Sequence, residues 1–329
     1  MDESSLPGGE HSREHTDFQL PINDDFNLRA TVRLLQRRPA NRIDRWEDDR
    51  YLRAFPTSDG VRLVAVENLG AIDAPDVHVD VLGGPIADET ARMLLATVRW
   101  TLGLDAPPAP INWLAEVEPQ LATVAMAMRG FRSPCFPSLF ETCGSVLPFQ
   151  QLSMDAGVAI LGRLVERFGP ALTLDDRTWF AFPPPEAIVE TSVDTLRETG
   201  LSRAKAASLR TLARLAIAGD LDAARFQALS TEEALRELRA LPGIGPWSAG
   251  LILLRGLRRM DVFPSGDVGA ARNLTALLGL SRPLTPTEAN AFADRFGDRR
   301  GYLYFLGLGS RLLAEDPGRL ADGDSQAGC

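Results

Sequence analysis

Hydrophobic positions change period near residue 106. Between Pro21 and Asp105 they alternate in short runs, first Val61, Leu63 and Ala65, then Val77, Val79 and Val81. A period of two places such side chains on one face of a strand, which predicts antiparallel strands with one buried face. Ser58-Asp59-Gly60 supplies turn chemistry between Tyr51–Phe55 and Val61–Val66. Residues 26–37 and 88–103 have helical spacing instead, so this region predicts a small α+β unit. His78 alternates with the valines and is expected to face solvent or a helix across the sheet.

Ala106 to Pro110 is a proline-rich boundary, and from there to about Leu313 the pattern predicts successive helices separated by short Pro/Gly turns. One runs over Leu201–Gly219 with Ser202 as its N-cap. Lys205, the only lysine in the chain, lies on its first turn and is expected to be solvated and without chemistry. The expected organisation is an acidic disordered tail (1–20), an α+β N-terminal domain with an antiparallel sheet (21–105), an all-helical domain (106–313) and a second tail (314–329).

Residues 230–267 carry the most punctuation. Ser230 and Glu233 fit a capping box, so a helix should run to about Ala240. Leu-Pro-Gly-Ile-Gly then interrupts it: Pro242 disfavours helix in the residue before it, and Gly243 and Gly245 both tolerate positive φ. Pro246 suits the first position of a second helix, to about Arg258. Such a hairpin lets the N–H groups of Gly243, Gly245 and Trp247 approach a phosphate at a positive helix terminus. Taken alone, a GxG is more often a plain helix–helix turn. Asp267 falls 22 residues after Gly245 at the mouth of a further helix, where an aspartate can also serve simply as N-cap.

Composition narrows the function classes. No apolar run reaches 18 residues and the N-terminus is acidic, which predicts neither a membrane span nor a secretory signal. Cys135, Cys143 and Cys329 are too few and scattered for a disulfide framework, a four-cysteine zinc site or an iron-sulfur cluster, and a reducing, cytoplasmic setting fits. His11 and His15 stand four apart but in a tail-like context that argues against a metal site. The net charge of −9 opposes nucleic-acid binding until it is located. Residues 1–25 hold seven acids and one arginine and residues 314–329 hold four acids and one arginine, leaving 33 acids against 33 bases between them.

The pairing of hairpin and aspartate resembles the helix-hairpin-helix DNA glycosylases, most closely the bacterial 3-methyladenine DNA glycosylase II type. There an LPGIGxWTA hairpin precedes a catalytic aspartate in a DVFPxxD segment. Leu241–Ala249 and Asp261–Asp267 match, with Ser248 in place of threonine. Residues 21–105 resemble that family's β-rich N-terminal domain, and residues 138–169 its helix pair with a Gln-Gln element directed at the minor groove.

The resemblance implies a monofunctional enzyme of base excision repair that flips alkylated purines such as 3-methyladenine and 7-methylguanine out of duplex DNA and hydrolyses the N-glycosidic bond. It assigns Asp267 as the catalytic carboxylate and Gln150 and Gln151 as the wedge, although a polar inter-helix loop accounts for the pair equally well. It assigns Gly243, Ile244, Gly245, Trp247 and Ser248 to phosphate binding and Trp247 to the base pocket, where a tryptophan elsewhere is usually core. The family has further pocket aromatics where this chain has Leu251 and Leu308; Leu251 would then line the pocket, with Tyr302 and Tyr304 compensating. Bifunctional relatives carry a Schiff-base lysine where Trp247 stands, so water is the expected nucleophile. No cofactor is required, relatives often hold a monovalent cation on hairpin carbonyls, and the expected partner is damaged double-stranded DNA met by a nucleoid-associated monomer. The rivals are a glycosylase for oxidised or deaminated bases and a non-catalytic DNA-binding protein.

Overall fold

Two-residue turns set the middle of the N-terminal sheet. In a computed structural model, which describes residues 15–316, 318 and 320, Asp48 and Asp49 (φ 49° and 57°) join β2 (Arg45–Glu47) to β3 (Arg50–Thr57). Ser58 and Asp59 join β3 to β4 (Gly60–Asn68), with Thr57 opposite Gly60 as the turn residues imply. β5 (Val77–Leu82) pairs with β4, and β1 (His15–Leu20) closes the antiparallel order β1-β5-β4-β3-β2. Residues 15–20, expected as tail, are thus an edge strand; they pair with β5 from His15–Leu82 to Leu20–Val77, and Leu20 is buried. The tail reading of residues 1–14, His11 included, lies outside the described residues, as does most of that for 314–329. Leu320, however, is fully buried, and the last helix continues to Glu315.

Both faces of the sheet are covered, where one was expected. Tyr51, Phe55, Val64, Val66, Val77, Val79 and Val81 pack on the helices Leu28–Gln36 and Asp88–Leu102. Leu52, Ala54, Val61, Leu63 and Ala65 meet Leu172, Leu174 and Trp179. The latter three belong to a hairpin, β6 (Ala171–Leu174) and β7 (Arg177–Phe180), inside the region expected to be wholly helical. Asp175 and Asp176, both at positive φ (48° and 59°), make its turn. His78 stays partly exposed, between Asp17 and Asp76.

Buried and half-buried arginines join this unit to the helices. Arg53 on β3 is 1% exposed and pairs with Asp44 at 2.7 Å and with Glu141 on the helix Leu139–Val146. Arg255 donates to the Leu34 carbonyl at 3.2 Å, and Arg258 to the carbonyls of Ser133 and Trp100. Arg255 lies on the helix Pro246–Gly256, so the N-terminal domain clamps the far end of the helix whose near end opens the hairpin. No helix among the described residues is long and apolar enough to cross a membrane.

Candidate functional site

The expected capping box is present: the Glu233 amide donates to Ser230 Oγ at 3.3 Å and the Ser230 amide to Glu233 Oε2 at 2.9 Å. The helix Thr231–Ala240 stops before Pro242. Gly243 turns the chain at φ 76°, and a Cβ there would lie 2.5 Å from Ser208 Oγ, so conformation and space both demand glycine. Gly245 differs from expectation. As N-cap of the helix Pro246–Gly256 it is extended (φ −88°, ψ −179°), and a Cβ built on it meets nothing within 4 Å. Its lack of a side chain leaves the outer side of the turn open to a close-approaching group.

The N–H groups of Gly243 and Gly245 meet no acceptor among the described residues, and that of Trp247 lies in the unsatisfied first helical turn. Two further members of the expected hairpin set have other duties. Ile244 is buried, with its N–H on the Leu241 carbonyl. Ser248 is 2% exposed, and its hydroxyl accepts Gln150 Nε2 at 2.9 Å instead of facing a phosphate.

Gln150 also donates to the Gly243 carbonyl at 2.8 Å. It is therefore a strut between two loops, whereas it was expected beside Gln151 as a wedge. Gln151 is the exposed member, held at φ 57°, with Leu152 beside it 47% exposed. Lys205, expected to be solvated, donates instead to the Gln150 carbonyl at 2.6 Å, and partial burial lowers its pKa.

The segment after the hairpin's second helix returns against it. A Cβ on Gly250 would lie 3.2 Å from Pro264 Cα, so glycine admits the Val262-Phe263-Pro264 segment. Asp267 then caps the helix Val268–Leu277: Oδ1 accepts the Ala270 amide at 2.7 Å, while Oδ2 accepts Trp247 Nε1–H at 2.8 Å. Capping and a place beside the hairpin thus coincide. Asp261, at the start of this segment, accepts the Thr231 hydroxyl. Val268, adjacent to Asp267, is 71% exposed, an apolar surface that sequence reasoning passed over.

The two tyrosines expected in the pocket have arginine neighbours. Tyr304 is buried with its hydroxyl on Arg37, and Tyr302 is held near Arg258 and Arg299, with burial raising its pKa. Both stand at the start of the last helix (Gly301–Glu315), on a turn packed under Met260 and Val262. Leu251 is 4% exposed within the helical core, so little of it is open to a base. Of the expected pocket, Trp247 is the residue hydrogen-bonded to Asp267 among the described residues.

Known proteins bear on this geometry. The HhH-GPD superfamily of base excision DNA repair proteins matches residues 145–296, and the AlkA N-terminal domain matches residues 17–138. The DNA-3-methyladenine glycosylase of Bacillus subtilis is 30% identical over 222 residues, 67% of this chain and 73% of that protein. The chain belongs to the HhH-GPD superfamily. Another relative of this HhH-GPD protein is DNA-3-methyladenine glycosylase 2 of Escherichia coli, 25% identical over 73% of this chain and 81% of its own length. The 3-methyladenine DNA glycosylase structure from Archaeoglobus fulgidus covers 89% of this chain and 98% of its own at a TM-score of 0.73, with 24% identity, and so shares the fold.

Proposed function

We propose that this HhH-GPD protein is a monofunctional DNA glycosylase that flips alkylated purines out of duplex DNA and hydrolyses their N-glycosidic bonds. The observation that carries the reading is the carboxylate of Asp267, held by Trp247 and Ala270 beside a hairpin with free backbone donors. Base departure leaves positive charge on the sugar, which a nearby carboxylate stabilises. The C1′–N bond breaks with its electron pair going to the base, a water oxygen bonds C1′, and the water proton passes through Asp267 to solvent. Alkylation at N3 or N7 makes the purine cationic, so it leaves neutral without an acid.

The hairpin would grip one strand through the N–H groups of Gly243, Gly245 and Trp247. Exposed Arg236, Arg239 and Arg272 lie on the hairpin's first helix and on the helix that Asp267 caps, where they supply charge to a strand. Flipping costs a few kcal/mol, and Gln151 with Leu152 would fill the vacated stack. A monovalent cation in the hairpin would share the Gly243 carbonyl with Gln150 or use its neighbours. The protein would act as a monomer, in the nucleoid-containing cytoplasm, without an iron-sulfur cluster.

Free base released from duplexes containing 3-methyladenine, 7-methylguanine, hypoxanthine or 8-oxoguanine tests the reading. Faster release of the two methylated bases supports it. The arginine neighbours of Tyr302 and Tyr304 favour a second reading, excision of deaminated or oxidised bases, which faster release of the latter two would establish; release of none would establish a binding protein.

A further inference from the structure

One face of the helix Arg203–Ile217 supports two loops that the proposed reaction uses together. Lys205 and Ser208 are three residues apart and so share that face. Ser208 packs beneath Gly243 of the hairpin, with its Oγ 2.5 Å from where a Cβ would stand. Lys205 Nζ reaches the other loop, donating to the Gln150 carbonyl at 2.6 Å and lying 3.5 Å from that of Pro148. Gln150 closes the triangle with its amide on the Gly243 carbonyl and on Ser248 Oγ. Phe149 is fixed as well, since its ring occupies the space of a Cβ on Gly157.

Gln151 projects from this anchored turn in a left-handed conformation that costs a non-glycine residue about 1 kcal/mol or more and persists only where the surroundings impose it. The residue before it is fixed at both main chain and side chain. We infer that Lys205 is a positioning residue that couples the Gln151–Leu152 tip to the phosphate-gripping hairpin, so that binding the backbone and entering the stack are one rigid act. Without the ammonium the Gln150 carbonyl loses its partner, the tip relaxes from its left-handed turn, and hairpin binding no longer aims it at the duplex. The chemistry at Asp267 is untouched, because Lys205 has no part in it.

This inference rests on the glycosylase reading, and its test separates the two. Lys205→Met keeps the stem and removes the donor; Lys205→Arg restores one. Single-turnover base release is measured for one lesion placed opposite its normal partner and opposite an abasic analogue, where little pairing opposes extrusion. Lys205→Met should slow release from the paired lesion about tenfold or more, as a loss of about 1.4 kcal/mol in extrusion requires, and from the unpaired one less than about threefold. Lys205→Arg should recover most of the loss. Equal loss on both substrates, or none on either, would overturn the coupling while leaving the glycosylase in place. A second readout needs no hydrolysis: 2-aminopurine beside a tetrahydrofuran site should brighten on binding wild type and brighten less on binding Lys205→Met. If no base is released but this difference appears, the coupling stands and the glycosylase reading falls; identical brightening ends the coupling.

Discussion

Trp247 donates its indole N–H to one oxygen of Asp267 at 2.8 Å, and the backbone of Ala270 donates to the other at 2.7 Å. The hairpin therefore orients the carboxylate directly, through a side chain on its first helical turn. The resemblance assigns Trp247 to the base pocket; the edge of its ring has a separate duty.

Trp247→Phe keeps an aromatic face and deletes the donor. A hydrogen bond to a charged group contributes about 1.5–3 kcal/mol, so the rate of base release should fall about ten- to hundredfold. Preference for cationic over neutral lesions should survive in Trp247→Phe and erode in Trp247→Ala, because cation–π attraction needs only the ring. A wild-type rate in Trp247→Phe would show that the hydrogen bond is incidental.

The two hairpin glycines should separate folding from binding. Gly243→Ala forces a Cβ against Ser208 at positive φ and should lower the melting temperature. Gly245→Glu enters open space, so melting should be unchanged while affinity for every duplex sequence falls and wild-type binding weakens steeply with salt. Unaltered DNA affinity in Gly245→Glu would remove the hairpin from the interface.

Borohydride should trap no covalent adduct, and product strands should stay intact until alkali cleaves the abasic site. Lys205, the only lysine, is committed to backbone carbonyls in a different helix from Trp247. An adduct abolished by Lys205→Ala would contradict this.

Arg53→Met should destabilise the protein by about 3–5 kcal/mol near pH 8, since it strands two buried carboxyls, Asp44 and Glu141. Burial already pushes the Glu141 carboxyl up, and without the guanidinium it must rise further. A folded pKa above the unfolded one gives stability that is present at low pH and lost as pH rises through the folded value. The deficit relative to wild type should therefore shrink from pH 8 toward pH 5 in denaturant melts; a deficit independent of pH would mean the carboxyls find other partners.

Local chemistry was legible where it is self-contained. Ser230 and Glu233 satisfy each other within one turn, Pro246 opens its helix, and the β3–β4 turn carries its own residues, so their boundaries follow from sequence. The β6–β7 hairpin was hidden because its turn is Asp175-Asp176, without glycine, and its partner face is supplied by a sheet about a hundred residues earlier. Gln150 and Gln151 are identical residues side by side, and only a strained φ sends one inward and the other out. Tyr302 and Tyr304 share the last helix with Leu308, yet its packing turns them toward Arg258 and Arg37; spacing alone does not reveal that rotation.

Asp267→Asn tests the central claim most directly. Asparagine can still accept the Ala270 amide, so the helix cap survives while the charge is removed. Single-turnover release of 3-methyladenine should fall about a thousandfold or more, with duplex affinity unchanged or improved, because the lost interaction stabilises the transition state alone. Release within about tenfold of wild type would contradict the assignment of Asp267 and, with it, the account of the site.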